Sequence, residues 1–322
     1  MKLAILLTSD HRLLSVAAML DVFQTVNRFY ESEGKVAFFD VELLQLAPDG
    51  SSEYAGYEAK VPQVDAKYDI ILIPAFKPEA LPASLSENLA WIPWLHVQYG
   101  SGASLASFCT GAFLLAATGL LDDKPATTHI NAEYAFANAF PNVHLEADAV
   151  VTEQDRIFTS GGATNSFHLM LRLIEKFCSR MMAIRTAKVF SVDIDRKNQL
   201  YFGTFTPLDD HGDALVKQTQ EQIRKNFRVA NTIEEIVIDV PSSRRNLVRR
   251  FKHVTGITPI EYLQKTRIEA AKQMLEASNQ SIMEVMLESG YNDLKSFRML
   301  FKKNVGMTPT AYRSKFNSMA QL

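Results

Sequence analysis

FKHVTGITPIEY at residues 251–262 and FKKNVGMTPTAY at residues 301–312 are one phrase written twice. Phe, Lys, Gly, Thr, Pro and Tyr return at a single offset of 50 residues. Self-similarity at a fixed period marks one supersecondary unit used twice. The residues upstream of each copy identify the unit. Thr232 stands three residues before Glu235, and Ser281 three before Glu284. In that spacing the hydroxyl accepts an orphan N–H and the Glu reaches back to another, so a short helix is predicted to start at each place. A turn follows, marked by Pro241-Ser242 in copy one and by Gly290-Tyr291-Asn292 in copy two. Ser243 or Asp293 then caps a second helix. Its buried stripe is Leu247 and Phe251, or Phe297, Leu300 and Phe301, at spacings of three and four.

A short capped helix, a tight turn and a second amphipathic helix make a helix-turn-helix. The outward face of the second helix carries Arg244, Arg245, Asn246 and Arg249 in copy one, and Lys295, Ser296, Arg298 and, a turn later, Lys302 in copy two. These residue types fork onto guanine, pair with adenine or neutralise phosphate. An isolated basic cluster is ordinarily a solvated helix face; two clusters at equivalent positions argue for DNA. Between the copies, residues 258–278 predict a helix capped by Thr258 with Pro259 at its first position. Its apolar face is Ile260, Leu263, Ile268, Ala271, Met274 and Leu275. At ~1.5 Å per residue this rod is ~31 Å long, close to the ~34 Å of one DNA turn. One chain would therefore set two recognition helices into successive major grooves.

The region 217–316 resembles the DNA-binding domain of the AraC/XylS transcription regulators. The carriers are S-R-R-N-L-V-R-R-F at 243–251, G-x-T-P-x-x-Y at 256–262, G-Y-N-D-x-x-x-F at 290–297 and G-M-T-P-x-x-Y-R at 306–313. One departure stands out. Residues 238–241 are one shorter than the matching stretch of copy two, with Pro241 where a turn Gly is common, which would set the first turn at an unusual angle.

The chain has 322 residues, favouring two domains, and its 47% apolar and 22% charged content is that of a soluble globular protein. Its net charge of −2 is divided unevenly. Residues 217–322 hold 18 Lys and Arg against 10 Asp and Glu, net +8; residues 1–216 hold the other 16 and 26, net −10. A basic nucleic-acid module on an acidic partner is the reading. Two cysteines make no disulfide framework and favour a reduced cytoplasmic location. The apolar run at 3–7 is too short for a signal peptide, and no stretch approaches the ~20 residues of a membrane span.

In the first two thirds, apolar runs alternate with helical patterns. Strands are expected at 2–7, 41–46, 68–74, 103–108, 143–145, 149–152 and 156–159. Helices are expected at 13–30, 85–99, 111–121, 132–140, 165–177 and 181–190. Fully apolar runs such as LAILL and DIILIP suit strands covered on both faces. The fold class is α/β: a parallel sheet sandwiched between helices, followed by an all-α domain with two helix-turn-helix units. Residues 196–216, with Gly203, Pro207, Asp209-Asp210, Gly212 and Asp213, read as a linker between domains at 1–195 and 217–322.

Ligands of such sheets bind beyond the carboxyl ends of the strands. Cys109 lies there, between Ser107-Phe108 and Thr110-Gly111, at a sharp strand-to-helix turn. Its helix-start position and the nearby His129 would lower its pKa, as for a thiol nucleophile; against that, a lone Cys is ordinarily a small buried hydrophobe. Cys178 and His168 read as packing residues.

These residues resemble the PfpI-like relatives of class I glutamine amidotransferases. The likeness covers about 1–190 and rests on Phe108-Cys109-Thr110-Gly111, Thr127-Thr128-His129, Thr159-Ser160-Gly161-Gly162 and Leu20-Asp21-Val22-Phe23. It implies an acid beside the elbow Cys, a place given to Asp21. Hydrolytic members carry His after the Cys, where this chain has Thr110, and usually Gly-Gly where it has Ala75-Phe76. Both departures argue against hydrolysis.

The combined resemblance implies a DNA-binding transcription regulator, not an enzyme. It would sense an amino-acid- or amine-like metabolite in a pocket of Asp21, Ala75, Phe76, Cys109, Thr110 and His129. The Asp21 carboxylate would hold a cation, and the amides near 110 and 111 a carboxylate. Its partners would be double-stranded DNA, a small-molecule effector and a second copy through the N-terminal domain, with RNA polymerase left open; no metal or cofactor is called for. The rivals are a cysteine-dependent hydrolase or amidase with a DNA-binding tail, and a purely structural dimerisation domain.

Overall fold

The computed structural model describes residues 1–318 except 47–52, 55, 64, 78–80, 195, 197, 208, 210 and 231. It divides into two compact units, Met1–Gln199 and Leu200–Leu322. The first contains β1 (Lys2–Leu6), α1 (Leu13–Ser32), β2 (Asp40–Leu44), β3 (Glu53–Tyr54), β4 (Tyr57–Lys60), β5 (Ile70–Ile73), α2 (Leu81–Asn88), α3 (Ile92–Gly100), β6 (Ser104–Phe108) and α4 (Ala112–Ala117). It continues with β7 (Pro125–Ala126), α5 (Glu133–Ala139), β8 (His144–Leu145), β9 (Val151–Gln154), β10 (Ile157–Ser160), α6 (Asn165–Phe177) and α7 (Arg180–Val189).

Eight strands form one sheet in the order β3-β4-β2-β1-β5-β6-β10-β9. The six from β4 to β10 run parallel, and β3 and β9 close the edges antiparallel. The period of two in β1 shows why the sheet is covered on both sides. Leu3 and Ile5 join a core with α1, α6 and α7, while Ala4 and Leu6 join a second core with Trp91, Leu95 and Phe136.

Three local expectations change. The helix expected at 85–99 is split into α2, a 3₁₀ turn at 89–91 and α3, with Pro93 in the first turn of α3. Proline lacks the N–H that a continuous helix would need there. The helix expected from 111 begins as a 3₁₀ turn at 109–111 and ends at Ala117, before Gly119 turns at φ +75°. The strand expected at 149–152 is β9, displaced two residues along. It forms a hairpin with β10 through Asp155 and Arg156, both at positive φ (50° and 64°). That is a primed two-residue turn without the Asn-Gly or Asp-Gly pair that ordinarily announces one.

The second unit is helical: α8 (Ala214–Asn226), α9 (Ile233–Ile236), α10 (Arg244–Thr255), α11 (Pro259–Ala277), α12 (Ile282–Glu288), α13 (Leu294–Val305) and α14 (Pro309–Phe316). Residues 196–216 divide at the boundary between the units. Gln199 is buried in the first unit, whereas Phe205 meets the Tyr262 ring at 5.1 Å in the second. Asp213 caps α8. Asp210 of the linker reading and residue 195 of its domain limit lie outside the described residues, as do 231 and 319–322 of the second domain.

Candidate nucleic-acid interface and elbow pocket

The two copies repeat in geometry as well as in sequence. Ser243 caps α10 through the Asn246 amide, and Asp293 caps α13 through the Ser296 amide. Both helices stop at a left-handed glycine, Gly256 at φ +78° and Gly306 at φ +79°, a conformation that other L-residues adopt at a cost. Thr258 and Thr308 start the next helix, with Pro259 and Pro309 in its first turn. Phe251 packs edge-on to Tyr262 at 5.4 Å, and Phe301 to Tyr312 at 5.6 Å. The repeated phrase is therefore scaffold: five of its six identical residue types make cores, caps or the stop.

The first helices differ. α12 has a full capping box, and at α9 the Thr232 side chain accepts from the Glu235 amide. α9 is four residues long against seven for α12, which is where the missing residue in copy one is absorbed. On α11, Leu263, Ile268, Ala271 and Leu275 are buried, but Ile260 in its first turn is 44% exposed. Arg267, also buried, donates to Phe227 O at 2.8 Å and Ala230 O at 2.6 Å and lies over the Tyr291 ring. It thus fastens the end of α8 to the turn of copy two. Gly290 is needed there, since an added Cβ would stand 2.4 Å from Phe227 O.

The expected reading residues lie outward. Arg245, Lys295, Arg298 and Lys302 are exposed and make no ion pair or side-chain hydrogen bond among the described residues. Arg244 pairs with Glu234 at 2.7 Å in an exposed contact, the kind that contributes little. Asn246 is half-buried: it donates to Ser242 Oγ at 3.0 Å and accepts from Arg249 Nη2 at 3.2 Å. It holds Arg249 in place. Ser296 is exposed beside the Asp293 cap. Met299, which the sequence reading passed over, shares this face and is 65% exposed.

In the first unit the turn after β6 is a strained elbow. Cys109 has φ +56° and is buried. Gly111 lets it fold close to β5, because a Cβ there would come within 2.4 Å of Pro74 O. Just after β5, the Ala75 and Phe76 amides are both engaged. Thr110 Oγ1 accepts from Phe76 N and donates to Phe76 O, both at 2.9 Å, and Ser15 Oγ accepts from Ala75 N at 3.1 Å. The amides that a hydrolase would turn on an oxyanion are held by this chain's own hydroxyls.

The expected pocket is not assembled as the sequence suggested. Asp21 is exposed and does not line the space beside Cys109; Arg12, Ser15 and Ala18 do. Asp21 lies six residues past Ser15, about 240° round the helix. The His129 ring lies against Gly162, and its Nδ1 accepts from Asn131 N. Burial pushes the Cys109 thiol above its ordinary pKa, outweighing the Ala163 and Thr110 amides and the Arg12 charge. This reverses the expected lowering. Burial, and secondarily Arg12, lowers His129. The space itself is about 20 Å³, room for a single water.

Gln199, within the stretch expected as linker, ties these segments together. Its Oε1 accepts from Gly162 N at 3.0 Å and Asn165 Nδ2 at 2.8 Å, and its Nε2 donates to Thr127 Oγ1, Thr128 O and Ala147 O. A second pocket of about 530 Å³ lies at the carboxyl ends of β1 and β2, lined by Thr8, His11, Gln45, Tyr54, Trp91, Glu53 and Glu87 among others.

An open α/β sheet with a filled cysteine elbow, joined to a paired helix-turn-helix unit, defines the class. Residues 12–176 match the DJ-1/PfpI family, and residues 239–315 match a helix-turn-helix domain. The chain belongs to the DJ-1/PfpI family and carries a helix-turn-helix domain of AraC type. It is similar to the HTH-type transcriptional regulator GbdR of Pseudomonas aeruginosa, 28% identical over 221 residues, covering 68% of this chain and 59% of GbdR. CdhR of the same species, also an HTH-type transcriptional regulator, is 25% identical over 236 residues, 70% of this chain and 67% of CdhR. The match thus spans less than two thirds of GbdR. A crystal structure of a candidate transcriptional regulator from Vibrio parahaemolyticus shares the fold, with TM-score 0.50 and 17% identity, over 59% of this chain and 98% of that one.

Proposed function

We propose that the chain is a cytoplasmic, sequence-specific DNA-binding transcription regulator whose first unit senses a small amine- or amino-acid-like effector without catalysis. The observation that carries the DNA reading is the duplicate geometry of α10 and α13. Two helices with equivalent caps and stops present Arg244, Arg245, Arg249, Lys295, Arg298 and Lys302 to solvent. Selection from a random duplex library with the full chain tests it. The expected outcome is an enriched site with two half-sites about one helical turn apart; enrichment of no sequence would contradict it.

For the effector, the larger pocket suits better than the elbow. Its volume lies in the ~300–1,000 Å³ range of small-molecule sites. The described lining residues include Glu53 and Glu87 and no Lys or Arg, which favours a cationic group. The first helix begins with exposed Leu13 and Leu14, an apolar pair suited to self-association. A promoter reporter with the effector found by thermal-shift screening should lose its response in Glu87→Gln and keep it in Cys109→Ser; the reverse pattern would return the effector to the elbow. Iodoacetamide distinguishes the hydrolase. With its pKa raised, Cys109 should label far more slowly than a free thiol at neutral pH. Rapid labelling together with turnover of the effector would reinstate a catalytic cysteine.

A further inference from the structure

The offset of 50 residues lets the two recognition helices be compared position by position. Arg245 corresponds to Lys295, Asn246 to Ser296 and Lys252 to Lys302, all polar for polar. Arg244, Arg250 and Arg298 correspond to half-buried Leu294, Leu300 and Val248, and among the pairs exposed in both copies the chemistry changes at one: Arg249 in copy one corresponds to Met299 in copy two. Met299 sits two residues from each of the buried Phe297 and Phe301, about 200° round the helix from either, and so points directly away from the core. Lys295 and Lys303 flank it at four residues on either side, with Arg298 and Lys302 beside them. At 65% exposure it presents a flexible apolar side chain at the centre of a cationic face. A solvated basic face has no use for methionine there. A major-groove surface does, because thymine alone presents a methyl group in that groove.

We propose that Met299 is the thymine-reading residue of the second recognition helix, packing on the C5-methyl group where copy one presents Arg249 to a guanine. This rests on the DNA-binding reading above. Arg249 is already steered by Asn246 Oδ1 at 3.2 Å, as a fork aimed at guanine O6 and N7 would require. The two half-sites then differ at the equivalent base pair, and the chain binds a directional site.

Deoxyuridine tests this, since it differs from thymidine only by the missing methyl. In the selected duplex, each thymine of the second half-site is replaced singly and the full chain is titrated by fluorescence anisotropy. One position should weaken binding about fourfold, the worth of one buried methyl group. Met299→Ala should bind both duplexes alike, and Met299→Arg should shift the preference at that pair to guanine. Met299 is a surface residue, so circular dichroism of both variants should match the parent. If no thymine is sensitive, or if Met299→Ala keeps the sensitivity, the assignment falls while DNA binding stands. If no duplex is selected at all, the regulator reading falls and Met299 with it.

Discussion

Arg245 and Lys302 are both exposed cations on recognition helices, without an ion pair among the described residues, but they occupy different turns, the first and the third. Residues in the first two turns of such a helix face base edges, and those beyond face the backbone. Arg245→Ala should therefore cost about 1–3 kcal/mol on the selected site and relax preference at one base pair. Lys302→Ala should weaken all duplexes evenly. Anisotropy titrations on matched and mutated sites separate the two, and an even loss for both would mean the helix is rotated from this assignment. At this scale the sequence was a reliable guide for charges on a helix of known period. It was a poor guide for the elbow, where Ser15, Arg12 and Gln199 come from distant segments. Nothing in their local sequence announces that Ser15 caps the Ala75 amide or that Gln199 binds Gly162.

Among the elements, those with strong local chemistry were legible. α6 spans 165–177 as expected, and α10, α11 and α13 start at their capping residues. The β3–β4 hairpin and β7, two to four residues each, were not anticipated, because such short strands carry too few residues to show a period. The shortening of α9 was visible only as a missing residue. The repeated glycines make a prediction at this scale. Gly306→Ala and Gly256→Ala should each destabilise the helical unit by about 1–2 kcal/mol, since each forces an L-residue into the left-handed region. Ser289, buried but followed by the turn at Gly290, offers no such control, whereas Lys303→Ala, on the exposed face, should be nearly neutral. Chemical denaturation followed at 222 nm would show whether the two glycines cost alike, as equivalent positions should.

Across the whole molecule, charge and titration divide between the units. Burial and the Arg196 cation lower His168 in the first unit to about 4, and Asp193 opposes them. Its unfolded value is about 6.5, so the unfolded chain binds more protons between those two values. The stability it contributes is full above pH 6.5 and disappears as pH falls through about 4, a loss of up to about 3 kcal/mol. His168→Gln should flatten that slope in thermal unfolding of the first unit, and an unchanged slope would place the titration elsewhere. The second unit carries the positive charge, +8 over residues 217–322, and with it the DNA reading. The most direct measurement is the salt dependence of full-chain affinity for the selected duplex. With ~6 phosphates neutralised, log K against log[salt] should fall with a slope of about −5. A slope near zero, or no saturable binding at low salt, would contradict a DNA-binding regulator.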